Sequence, residues 1–412
     1  MDVRIRPALL HGAVTPPPSK SQAHRLIICA ALAEGRSVIK NVALSQDISA
    51  TLGCITALGA KWTGGENGTI EIEGIGGRKY SGEMPLLDCG ESGSTLRFFI
   101  PIALTVAGGA AFTGRGRLMQ RPQKPYFDLF DRMGIEYRQE GDKLTVKGSL
   151  RPGEYRLPGN VSSQFFTGLL FALPLLGGTS QVIPTTELES LDYISMTMQA
   201  QELAGLSPKR LPNGGFAVSG GSYRPLNVTV EADWSQAGFW YAARAHGSGV
   251  EICGMDEDSL QGDRRIAGFA ELLRQEGNTE IDVSQCPDLV PPLAVMAAVR
   301  KGNCRISGAA RLRIKESDRL SAVTAALNAM GAEVEEYPEQ LLIHGVGSLR
   351  GGAEIDCCND HRIAMMCAVA ATRCEDGETV LHGAECVRKS YPDFWQVYRE
   401  LGGDIDVLDL GE

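Results

Sequence analysis

Six copies of one pattern account for nearly the whole chain and leave few folds open to it. Each copy is a polar or Gly-rich turn, an apolar helix, a small-residue stop and a strand. They read "PSKSQAHRLIICAALAEGRSVIKN", "DCGESGSTLRFFIPIALTVAGGAAFTG", "GNVSSQFFTGLLFALPLLGGTSQVI", "EADWSQAGFWYAARAHGSGVEICG", "CPDLVPPLAVMAAVRKGNCRISG" and "CNDHRIAMMCAVAATRCEDGETVLHG". A second, more amphipathic helix and another strand follow, as in "DISATLGCITALGAKW" and "SDRLSAVTAALNAMGAEVEE". The copies recur at roughly seventy residues, one of them shorter, which is too long for a solenoid repeat and suits a compact α/β unit.

The first helix of each copy is apolar nearly all round and so demands burial on every side, whereas the second keeps a polar outer face. The predicted architecture is α/β: two inside-out domains, each of three repeated units, with buried parallel helices and outer sheets. At 412 residues the chain exceeds one ordinary hydrophobic core. The Gly- and Pro-rich stretches "HGAVTPPP" and "SGGSYRPLNV" are candidate crossings. One domain is therefore expected at residues 16–222 and the other in two pieces, 1–15 and 223–412. Parallel buried helices would gather their unpaired N–H groups and positive dipole ends, and anions are favoured there.

The turns before the buried helices hold the candidate site. They carry Lys20, Ser21 and Arg25, then Gly93, Ser94, Thr95 and Arg97, then Ser162, Ser163 and Gln164. The second half adds Asp288, Lys315, Glu316, Arg319, His361, Arg362 and Lys389, and Arg121 precedes a second helix in the same style. Guanidinium groups suit bidentate contacts with phosphate and carboxylate. A net charge of −10 argues against nucleic acid or an acidic membrane as the partner, since phosphate-backbone binding needs a broadly basic face. Taken singly, Asp288 before "LVPP" also reads as a helix cap, Glu316 as an ordinary ion-pair partner of Arg319, and His361 as a neutral hydrogen-bonding residue. The eleven cysteines are scattered, without C-x-x-C or metal-ligand spacing, which fits a reduced, cytoplasmic protein without a metal. "MDVRIRPALLHG" lacks the apolar core of a signal peptide, and no apolar run has the length of a membrane span.

The stretches "PPSKSQAHR", "ESGSTLR", "SSQF", "RIKESDR", "NDHR" and "RKSYPDF" resemble, in order and over essentially the whole chain, the signatures of the 5-enolpyruvylshikimate-3-phosphate synthase family. The resemblance implies transfer of the enolpyruvyl group of phosphoenolpyruvate to the 5-hydroxyl of shikimate 3-phosphate with release of phosphate, a step toward chorismate and the aromatic amino acids. It implies no metal or organic cofactor, and a monomer is expected. By position it places Lys20 at the junction of both substrates. Ser21, Arg25, Ser162, Ser163, Gln164, Ser190, Tyr193 and Lys315 fall around shikimate 3-phosphate. Gly93, Arg97, Arg121, Gln164, Arg319, Arg362 and Lys389 fall around phosphoenolpyruvate. Asp288 matches the base, beside shikimate 3-phosphate, and Glu316 the acid, with Lys20 assisting. "ESGST" departs from the commoner Asn-Ala-Gly-Thr turn, and Arg311 stands where some members have Asn. Two related classes stand as alternatives. The enolpyruvyl transferase acting on UDP-N-acetylglucosamine uses a loop cysteine that "TGRGRLMQRPQKPYF" lacks. The RNA 3′-phosphate cyclases need a nucleotide and a basic groove.

Overall fold

The structure, a computed structural model, describes residues 1–408, the side chain of Glu66 excepted. The expected second domain runs on to 412, and 409–412 lie outside the described residues. Each repeat contributes two helices. They are α1 (Lys20–Leu32) and α2 (Gln46–Ala57), α3 (Gly93–Val106) and α4 (Lys124–Met133), α5 (Ser163–Ala172) and α6 (Leu191–Leu203), α7 (Trp234–Ala245) and α8 (Ile266–Arg274), α9 (Val290–Ala298) and α10 (Arg319–Ala329), and α11 (His361–Ala371) and α12 (Phe394–Glu400). Every residue of α9 and α11 is buried, as helices apolar on all faces require.

The chain divides into two compact units, Pro18–Glu231 and Met1–Pro17 with Ala232–Glu412. The first carries three four-stranded sheets of one design: two parallel strands, then two antiparallel ones. In the second repeat these are Leu86–Asp88, Gly109–Thr113, Lys143–Lys147 and Glu136–Glu140. The first repeat lacks its own leading strand and borrows Asn227–Thr229, which lies parallel to Arg36–Lys40 with Val228 opposite Ile39. That pairing corrects the expected boundary: residues 223–231 belong with the first domain because their backbone closes its sheet.

The other unit closes the same way from the opposite end of the sequence. Strand Asp2–Arg6 lies antiparallel between Thr379–His382 and Asp404–Leu408, with Val3 opposite both Leu381 and Val407. Thr279–Asp282, Asn303–Ser307, Leu341–His344 and Glu333–Glu336 form a second four-stranded sheet. The short fourth repeat has only a parallel pair, His11–Val14 with Gly249–Ile252. It lacks the hairpin that follows the second helix in the first, second, third and fifth repeats, which accounts for its length.

Candidate active site

Five of the six buried helices begin at a polar cap; α9 follows Leu289 and has no side-chain cap bond. Ser19, Ser92 and Ser162 accept from the backbone N–H groups of Gln22, Thr95 and Gln164 at 3.3, 3.2 and 3.3 Å. Asp233 and Asp360 cap α7 and α11 by accepting from Gln236 and Arg362 N–H at 3.0 Å each. These are local bonds written in the sequence, since a short oxygen-bearing side chain just before a helix satisfies an orphan donor.

In the first domain the predicted residues gather in three groups. Lys20 Nζ donates to Asp47 Oδ2 at 2.8 Å, both largely shielded from solvent. Arg25 is buried and donates to Ser21 O at 2.6 Å, Tyr193 O at 2.8 Å and Thr197 Oγ1 at 2.9 Å, with its guanidinium 5.8 Å from the Tyr193 ring. Burial pulls Arg25 down to about 10, still charged at neutral pH. Arg97 Nη1 donates to Gln164 Oε1 at 2.7 Å and stacks over Phe165, while Gln164 Nε2 donates to Ser94 Oγ at 2.9 Å, tying the first turns of α3 and α5 together. Ser163 lies in the same turn of α5. Ser190 opens α6 in the left-handed region, φ 55°, and is buried. A Cβ on Gly93 would sit 2.5 Å from Arg121 Nη1, so the glycine lets that guanidinium lie against the start of α3.

The second domain builds a dense charge network. Asp288 accepts from Arg319 Nη1 at 2.8 Å and Arg362 Nη2 at 3.3 Å, and Lys315 Nζ lies 3.4 Å away. Arg362 also donates to the Asp288 carbonyl at 3.2 Å. Arg319 meets two further carboxylates: Glu316 Oε2 at 2.6 Å, and Asp360, whose Oδ2 takes its Nε at 2.8 Å and whose Oδ1 takes its Nη2 at 3.3 Å. Lys389 Nζ donates to Asn359 O at 2.6 Å. Arg311 is buried and donates to Ser284 O.

Burial opposes ionisation of Asp288, yet Arg362, Lys315 and Arg319 together outweigh it and hold the carboxyl well below its usual range. Burial lowers the Lys315 ammonium against the pull of Asp288, and the surrounding carboxylates overcome burial to raise Arg319. The capping alternative for Asp288 does not hold. The residue lies within the short turn Pro287–Leu289, and its carboxylate is spent on cations. Glu316 does pair with Arg319, so its ion-pair reading and its place in the site are the same fact.

Three carboxylates of these networks were missed. Asp360 carries a signal in hindsight, because an Asp just before an apolar helix is a cap, but its second role under Arg319 comes from a residue 41 positions away. Asp47 stands in the first turn of α2, where acids are common. Asp263, buried in "QGDRR", is driven up to about 6 by burial and then by Asp288, with Arg362 opposing; nothing in its local sequence marks it.

Paired inside-out repeats with cations at the helix starts are what the resemblance to enolpyruvyl transferases requires. The chain belongs to the EPSP synthase (3-phosphoshikimate 1-carboxyvinyltransferase) family, whose model matches residues 6–398. It is 45% identical to the 3-phosphoshikimate 1-carboxyvinyltransferase of Clostridium kluyveri over 100% of this chain and 99% of that protein. The enzyme of the same name from Clostridioides difficile is 42% identical, with 100% and 99% covered. Among solved structures, EPSP synthase from Acinetobacter baumannii superposes with a TM-score of 0.81 at 25% identity, covering 99% of this chain and all of that one. The enolpyruvyl transferase NikO from Streptomyces tendae shares the fold, with a TM-score of 0.74 at 17% identity and 98% of each chain covered. These relationships favour neither alternative class. Among the described residues no helix is long and apolar enough to cross a membrane.

Proposed function

We infer that the chain transfers the enolpyruvyl group of phosphoenolpyruvate to the 5-hydroxyl of shikimate 3-phosphate and releases phosphate. The observation that carries the residue roles is the Asp288 network, in which one carboxylate faces Arg319, Arg362 and Lys315 and is joined through Arg319 to Glu316. Phosphoenolpyruvate presents a carboxylate and a phosphate on a small vinyl core, and fixed cations supply both recognition and charge neutralisation.

In the reaction the hydroxyl oxygen bonds to C2 while C3 gains a proton; the resulting ketal then loses phosphate and a C3 proton. Asp288 takes the hydroxyl proton. Glu316, with Lys20 assisting, supplies the proton to carbon and regains one from C3 as phosphate leaves. Paired with Arg319 in the free protein it is ionised, and it takes up that proton from solvent once the substrate's anionic groups share Arg319. As long as three cations face it, Asp288 is ionised but a weak base. When the substrate's anionic groups share those cations, its proton affinity rises toward what the step needs. Arg121, Arg319, Arg362 and Lys389, with Gly93 and Arg97, hold phosphoenolpyruvate. Ser21, Arg25, Ser162, Ser163, Gln164, Ser190, Tyr193 and Lys315 hold shikimate 3-phosphate. We read the protein as a cytoplasmic monomer; the scattered cysteines, without disulfide or metal-ligand spacing, support the compartment.

A phosphate-release assay with both substrates tests this. Stoichiometric phosphate only when both are present is expected, and release from phosphoenolpyruvate without shikimate 3-phosphate, or no release with both, overturns it.

A further inference from the structure

Four buried polar side chains that the reaction does not use form one continuous chain in the first domain. His24 Nδ1 lies 2.7 Å from Thr51 Oγ1, Thr51 Oγ1 lies 2.8 Å from Thr95 Oγ1, and Thr95 Oγ1 donates to Ser92 Oγ at 2.7 Å. All four are at most 2% exposed. The chain joins α1 to α2 and α2 to α3, ending on the residue that caps α3 immediately before Gly93.

Its geometry admits one polarity. A hydroxyl has a single proton, and that of Thr95 is committed to Ser92. The 2.8 Å contact between the two threonines therefore uses the Thr51 proton. That leaves Thr51 Oγ1 as the acceptor toward His24, so Nδ1 of the imidazole carries the hydrogen. Nε2 is then a bare lone pair, and it has no hydrogen-bond partner among the described residues. An unpaired buried acceptor is more readily tolerated than an unpaired N–H. Burial also holds the imidazole neutral, well below its ordinary range.

The same two helices carry a parallel contact one turn nearer their starts. Lys20 and His24 are four residues apart on α1, Asp47 and Thr51 four apart on α2, and each spacing puts its pair on one helix face. Lys20 with Asp47 and His24 with Thr51 are thus two rungs of one ladder, at 2.8 and 2.7 Å. The lower rung sets the rotation of α1 about its axis, on which the direction of Lys20 depends.

We propose that His24 and Thr51 are positioning residues for Lys20, acting through a proton-ordered relay that runs from the imidazole to the cap of α3 and locks α1, α2 and α3 together near their N-termini. This rests on the reading of Lys20 as a group that meets both substrates. The relay orders protons without transferring any, and no bond changes in it during turnover.

Nitrogen-15 spectra of the full chain labelled at histidine, with His24 assigned by its loss in His24→Asn, are expected to show His24 neutral and protonated at Nδ1. Thr51→Val, which keeps the shape and removes the hydroxyl, is expected to abolish that signature and to raise the KM for both substrates about tenfold, while Thr51→Ser restores both. Protonation of His24 at Nε2 in the wild type overturns the relay. Unchanged KM values in a folded Thr51→Val protein overturn the positioning role. If the wild type shows no turnover with the two substrates, the functional reading fails instead, and the tautomer still decides the relay.

Discussion

Arg319 and Asp360 form an ion pair sealed from solvent, with Nε 2.8 Å from Oδ2 and the two side chains 1% and 0% exposed. From that anchor the same guanidinium reaches outward to Glu316 and Asp288, so one buried carboxylate at the start of α11 orients both carboxylates proposed for the reaction, the acid and the base. Ser317 Oγ donates to Asp360 Oδ2 at 2.9 Å and holds the intervening turn to the same point. Removing one partner of such a buried pair leaves an uncompensated charge and costs about 3–5 kcal/mol.

Asp288→Asn should lower turnover by about a hundredfold or more, the scale of lost general-base help. Because its carboxylate faces three cations, the substitution should also cost about 1–3 kcal/mol of stability, read by chemical denaturation. A folded variant with near-wild-type turnover removes the base role.

Asp263 and Asp288 should pull acid stability in opposite directions. Asp288 is held below its unfolded value, so its contribution is complete above about pH 4 and is lost as pH falls through its folded value. Asp263 sits at about 6, so the folded state keeps a proton that the unfolded chain has released, and its contribution falls as pH rises from roughly 4 to 6. Asp263→Asn should therefore be more stable than wild type near neutral pH, with the gain vanishing near about pH 4. Thermal unfolding at the two pH values checks this, and a gain equal at both contradicts it.

Gly93→Ala should fold normally yet bind phosphoenolpyruvate more weakly. The new methyl lands 2.5 Å from Arg121 Nη1, and the tip of a flexible side chain yields more readily than backbone. Displacing a positioned guanidinium should raise the KM for phosphoenolpyruvate about tenfold or more, with shikimate 3-phosphate little affected. Steady-state kinetics in each substrate separate the two effects.

Arg25→Ala should chiefly weaken shikimate 3-phosphate, and Arg362→Ala chiefly phosphoenolpyruvate, each by more than an exposed ion pair is worth. Arg25 lies against Tyr193 and Ser21, and Arg362 against Asp288. Calorimetric titration of each ligand distinguishes them; equal losses of both ligands in both variants would dissolve the assignment of two pockets.

The repeat, the buried helices and the helix-start cations were legible in the sequence because each rests on short-range chemistry. Apolar periodicity declares a buried helix, and Ser19, Ser92, Ser162 and Asp360 cap the turns directly beside them. Partners across the fold were not legible. No local pattern foretells that Asn227–Thr229 completes a sheet with Arg36–Lys40, that Lys20 meets Asp47, or that Arg319 rests on Asp360. Nor could spacing show that the expected cations of the second domain already face the expected base. Local propensity depends on neighbours along the chain, whereas strand closure, ion pairing and burial of charge depend on which distant segments the packed core brings within a few ångströms. The sequence determined which groups stand at the helix starts, and the tertiary structure alone decided which of them face one another.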